Sequence, residues 1–88
     1  MGKIEELKGL YFGELKLKVL TDPEYNWPDK SDEKIMRVVN SMFGNFGKPG
    51  DRSDWLKHNP ALRSACKKIG IKSSPEFRAL FQANPVGV

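Results

Sequence analysis

This chain has a single cysteine, Cys66, and a single histidine, His58. That scarcity excludes an internal disulfide and a structural zinc site, which takes four protein ligands. The acidic residues show no calcium-loop spacing. Gly47-Lys48 is followed by Pro49 where a phosphate loop needs Ser or Thr, and Met1-Gly2-Lys3 has Glu6 where an acylation signal needs Ser or Thr. Long apolar runs are also missing. The longest spans a few residues, against the roughly 20 that cross a bilayer, and no charged segment leads into an apolar one. Asp54 and His58 stand four apart, so a carboxylate could orient an imidazole for the Cys66 thiol, but Cys66 falls on an apolar stripe and reads as an inert buried thiol. The expectation is a chain with no catalytic residues, no metal, no cofactor and no membrane span. A lone thiol points to a reducing compartment, the cytoplasm.

What is present is a globular balance, with 39% apolar and 30% charged residues, which sets the chain apart from disordered sequences. Its 88 residues suit one domain of modest stability. The charge is divided unevenly. Residues 1–44 carry seven Lys and Arg against eight Asp and Glu, whereas residues 45–88 carry eight against three. A basic excess confined to one half is the electrostatic footprint of a nucleic-acid partner, and also of a merely solubilising face.

Along the chain, Ile4, Leu7 and Leu10 have helical spacing, which predicts one or two turns of helix over 2–10. Over 14–20 the period becomes two, with Leu15, Leu17 and Val19 alternating with Glu14, Lys16 and Lys18, the pattern of a half-buried strand. A lone strand exposes an edge, so a hairpin through 11–13 or a homodimer would be needed to complete a sheet. Pro23 and Pro28 mark a loop. Ser31, with Asp32 and Glu33 behind it, caps a helix whose stripe is Ile35, Val38, Val39, Met42 and Phe43, and Gly44 is its expected stop. Gly44 to Asp51 reads as an irregular connection, a linker over 45–52 between a near-neutral half, 1–44, and a basic helical half, 53–88, with Lys48 and Arg52 near its ends. Three short helices come next, over about 53–58, 60–69 and 75–83. Asn59-Pro60 and Ser74-Pro75 each place a capping side chain before a proline at the first helical position.

On the second of these helices Leu62, Ala65, Cys66 and Ile69 form an apolar stripe, while Arg63, Ser64, Lys67 and Lys68 lie away from it. Gly70 ends the helix, Ile71 returns to the core, and Phe77, Leu80 and Phe81 form the stripe of the next helix. With the small residue Cys66 four positions before Gly70, and Ala65, Ile69 and Ile71 at apolar positions, residues 62–81 resemble the generic helix-turn-helix of transcription regulators and phage proteins. They depart from it at Glu76, where the pattern has an apolar residue; here that side chain is Phe77, so the turn is one residue longer. The resemblance implies that the second helix of the pair enters the major groove. On that reading Ser73 and Ser74 offer hydroxyls and free N–H groups to a phosphate. Lys67, Lys68 and Lys72 hold further phosphates, with Arg63 on the same polar side. Arg78 and Gln82, one turn apart opposite Phe77 and Phe81, carry the side chains that match guanine and adenine edges.

The expected architecture is thus a mainly α, single domain of four or five helices, with one short N-terminal β element and a helix-turn-helix-like C-terminal half. The expected function is regulatory, nucleic-acid-binding and non-enzymatic. The alternative is a protein-binding adaptor or inhibitor acting through the aromatic loop at Tyr25 and Trp27, which lies in the half with no basic excess.

Overall fold

A computed structural model describes residues 2–48, 50 and 53–83. Its first element is one continuous helix, α1 (Lys3–Thr21). No strand occurs among the described residues, and the β element expected over 14–20 is instead the second half of α1. Leu7, Tyr11, Leu15 and Val19 recur at every fourth position and are all buried. Leu17, two residues past Leu15 and so about 200° further round the helix, is 59% exposed, and Leu20 is 55% exposed. The alternation of 14–20 is a coincidence of spacing in a run of Glu, Leu and Lys that favours helix. A helix also satisfies its own backbone, which a lone strand cannot, so the argument for a dimer built on an open strand edge lapses.

The chain then crosses a loop held by local turns, in which the Asp22 and Asp29 carboxylates accept from the N–H groups of Glu24 and Ser31 at 3.0 and 2.9 Å. Helix α2 (Asp32–Asn45) begins as expected, its Ser31 hydroxyl accepting from the Lys34 N–H at 3.2 Å. Ile35, Val39 and Phe43 are its buried face. It passes through Gly44, and the left-handed glycine beyond it is Gly47, φ 73°. Gly47 is there because Phe81 of the last helix lies against it. A Cβ at 47 would stand 2.6 Å from the Phe81 carbonyl carbon. Phe46, expected in a linker, is 1% exposed and joins Phe43, Phe77 and Phe81 in an aromatic cluster with ring centroids 5.0–5.5 Å apart. The tail of α2 is therefore core, and only the segment after Phe46 connects the halves; Pro49, Asp51 and Arg52 lie outside the described residues.

Three helices complete the fold, α3 (Trp55–His58), α4 (Pro60–Lys68) and α5 (Ser74–Ala83). Helix α1 is the central element, packing most extensively on α4 and then on α2, while α3 sits on α4 and α5. The backbone radius of gyration is 12.7 Å, near the roughly 12 Å of a compact domain this long. No helix of the described residues is long and apolar enough to cross a membrane. Of the expected core, Ile35, Val39, Leu62, Ala65, Phe77 and Phe81 are buried, whereas Val38, Met42, Ile69 and Leu80 pack against it half-buried.

Candidate nucleic-acid interface

The site is built on α4. Asn59 caps it, its side-chain oxygen accepting from the Leu62 N–H at 3.1 Å, and Pro60 sits in the first turn, where no N–H is missed. Ala61, Leu62, Ala65 and Cys66 are buried, so Arg63, Lys67 and Lys68 take the exposed side. The helix ends in a paired-carbonyl turn. The Ile71 N–H donates to the Cys66 carbonyl at 3.0 Å and the Gly70 N–H to the Lys67 carbonyl at 3.3 Å, with Gly70 at φ 88°. This geometry returns Ile71 to the core and leaves Lys72 exposed beyond the turn.

Helix α3 approaches from the other side. Asp54 caps it by accepting from the Lys57 N–H at 3.1 Å. Between α3, α4 and the α4–α5 turn lies an open hollow of about 470 Å³. Leu56, Cys66 and Ile71 line its apolar part, and Lys57, Arg63, Lys67 and Lys72 supply its cations against the one carboxylate of Asp54. None of these four cations forms an ion pair with a carboxylate among the described residues. A second hollow, lined by Phe46, Trp55, Phe77 and Phe81 among others, holds only about 10 Å³, less than room for more than one water.

The structure brings Arg63, Lys67, Lys72, Ser73 and Ser74 together around this hollow. Their states differ from the sequence reading in places. The α5 cap is Ser73, one residue earlier than expected: its hydroxyl accepts from the Glu76 N–H at 3.3 Å, and its carbonyl from the Phe77 N–H at 3.0 Å. Ser74 is the first helical residue instead, because its hydroxyl donates to the Asp54 carboxylate at 2.6 Å. The Glu76 carboxylate meanwhile accepts from the Lys72 N–H at 3.1 Å. The start of α5 is thus already occupied by the protein's own oxygens and one negative charge, which opposes a phosphate there.

Three other residues lie apart from the hollow. Lys68 is paired with Glu14 of α1, and that hydrogen bond holds the Glu14 carboxyl below its usual range. Arg78 is half-buried and donates to the Ser53 carbonyl, tying α5 to the segment before α3. Gln82 is exposed on α5, as are Pro75, Glu76 and Ala79. Lys57 escaped the sequence reading. No local spacing announces it, because its place depends on how α3 folds against α4 at Asn59.

Electrostatics sharpen the contrast between rim and floor. Hydrogen bonds from the Ser74 hydroxyl and then the Lys57 N–H hold the Asp54 carboxyl below its ordinary value, so it stays charged. Burial pushes the Cys66 thiol up to about 12, leaving it protonated and unreactive near neutrality. In the other half, Tyr25 and Trp27 are half-buried, edge to face with centroids 6.0 Å apart, and pack against the core. Comparison with known protein families, curated proteins and solved structures yields no match for this chain.

Proposed function

We propose that this chain is a small, non-catalytic nucleic-acid-binding module that holds a phosphate backbone on the basic rim of the α3–α4 hollow. One observation carries the reading: Lys57, Arg63, Lys67 and Lys72 converge on a single open concavity that holds one carboxylate, Asp54, and among the described residues none of the four forms an ion pair. Cations kept from internal pairing are available to release counterions from a phosphate chain, the main source of affinity for nucleic acids.

Helix α4, the Gly70 turn and α5 follow one another in the chain, and of the two helices α4 is the better equipped for a ligand. The exposed face of α5 offers Glu76 and no cation, and Arg78 is engaged with Ser53. In this proposal Arg63 and Lys67 lead, Lys57 and Lys72 flank them, Ser73, Ser74 and Arg78 serve the fold of the site more than the ligand, and Gln82 stands apart from it. A protein partner at Tyr25 and Trp27 draws less support, since both rings are half-buried and packed against the core. A cytoplasmic setting accords with this partner and with one unpaired thiol.

The test is binding of the full chain to nucleic acid across a salt titration, with Lys67→Ala and Arg63→Ala as variants. Affinity that falls steeply with salt, and less steeply in each variant, supports the proposal. Absence of salt-dependent binding at low ionic strength overturns it.

A further inference from the structure

We infer that the nucleic acid this site takes is a duplex, gripped by its backbone without regard to sequence, and not a single strand. This rests on the nucleic-acid reading above and narrows it through observations of a different kind.

Proteins that bind single strands combine basic grooves with aromatic side chains on which the unpaired bases stack. This chain has nine aromatic residues, and none is exposed. Tyr11, Phe43, Phe46, Phe77 and Phe81 are at most 3% exposed. The others, Phe12, Tyr25, Trp27 and Trp55, are half-buried and packed against the core. The hollow itself is lined by no aromatic side chain; its apolar part is the aliphatic pair Leu56 and Ile71 with the Cys66 thiol. A base has nothing to stack on there. Leu56, Ile71 and Cys66 are themselves buried, so the accessible part of the hollow is its charged rim, which suits phosphates.

The cations are arranged for a backbone as well. Arg63 and Lys67 are one helical turn apart on the exposed side of α4, while Lys57 and Lys72 come from α3 and the turn. A duplex presents one charge per about 1.7 Å of axis, twice the density of one strand, so the same cations meet more phosphate on a duplex. Sequence readout is weak for a separate reason. The forked side chain best suited to a guanine edge, Arg78, is held by the Ser53 carbonyl, and Gln82 stands alone on a face with Glu76.

The experiment measures the full chain against a mixed-sequence DNA duplex of about 20 base pairs, its two separated strands, a duplex of shuffled sequence, and polyglutamate of matched charge. With four phosphate contacts the duplex slope should be roughly −3 to −4, so that doubling the salt weakens binding about tenfold. Both duplexes should bind within about twofold of each other, and each more tightly than either strand or polyglutamate. Lys57→Ala should lower the slope by about one unit. Tighter binding to a separated strand, or quenching of a fluorescent base analogue in it by stacking, overturns the inference and leaves the nucleic-acid reading standing. A shuffled duplex bound many-fold more weakly overturns it likewise. Polyglutamate bound as tightly as the duplex, or no salt-dependent binding to any nucleic acid, removes the inference and the broader reading together.

Discussion

The side-chain amide of Asn59 donates to the hydroxyl of Tyr11 at 2.7 Å. The two residues lie 48 positions apart, and the bond joins the start of α4 to the middle of α1. The same amide's oxygen caps α4, and the Tyr11 hydroxyl passes its own hydrogen to the Met42 sulfur at 3.0 Å. One polar group thus ties together the three helices that enclose most of the core.

Asn59→Ala is expected to remove both the cap and the buried donor, costing about 2–3 kcal/mol from the two effects combined. Asn59→Asp retains the capping oxygen and loses only the donor, so it should fall between the wild type and the alanine variant. Urea denaturation of the three proteins measures the order. Equal midpoints for Asn59→Ala and wild type would contradict the linkage.

Gly47 and Gly70 share a left-handed backbone but differ in their surroundings. A Cβ at 47 meets the Phe81 backbone at 2.6 Å, whereas one at 70 meets nothing within 4 Å. Gly70→Ala should therefore cost only the conformational penalty, about 1–2 kcal/mol. Gly47→Ala adds a steric clash and should cost about 2–4 kcal/mol. Thermal melts of the two variants should rank them in that order.

The continuous α1 predicts that neighbouring leucines behave unlike each other. Leu15 is 3% exposed and Leu17 59%, so Leu15→Ala should lose about 2–4 kcal/mol and Leu17→Ala less than about 0.5. A strand with both side chains on one face would make the two losses alike. Chemical denaturation decides between the arrangements.

Stability should fall on the alkaline side. Burial raises the Tyr11 hydroxyl from its ordinary 10.0, and the Cys66 thiol from 9.0, each to about 12. The unfolded chain therefore releases these protons first, and stability that is complete below about pH 9 declines as pH rises towards about 12. Tyr11→Phe and Cys66→Ala should each flatten that decline, as read from urea midpoints at about pH 8 and about pH 11. A decline of unchanged steepness in both variants would assign it to other groups.

Adjacent lysines on α4 should differ in binding. Lys67→Ala is expected to reduce the salt slope on duplex DNA by about one unit. Lys68, occupied by Glu14, should leave it almost unchanged when replaced by alanine. Reversed effects, measured by fluorescence anisotropy, would move the phosphate contact to the α1 side of the helix.

Where the controlling interaction is local, the sequence was legible. Ser31 and Asn59 cap the helices expected of them, and Gly70 takes the left-handed turn. The α2 stripe is buried at its centre, because helix period and burial agree there. The misreadings come from long-range contacts. Residues 14–20 fit both periods, and only packing on α4 shows that Leu15 and Val19, but not Leu17, face inward. Ser73 and Ser74 are equally good caps in isolation, and Asp54, twenty positions away, claims the second. Arg63, Lys67 and Lys72 could be picked out from their polar setting on and after α4. The engagement of Arg78 by Ser53, and the entry of Lys57 to the hollow, arise from α3, which no spacing in the α4–α5 segment reports.

Cys66 lies on the inner side of α4, fully buried, and contributes to the floor of the hollow from beneath. As the chain's only thiol, it makes the protein its own stopwatch. A thiol reagent can reach it only when the packing around α4 opens, so the labelling rate at neutral pH reports how often that happens. A ligand clasped across the rim must let go, or move with α4, before the same opening can occur. Occupancy of the hollow would then register as a slower chemical reaction at an atom the ligand never touches.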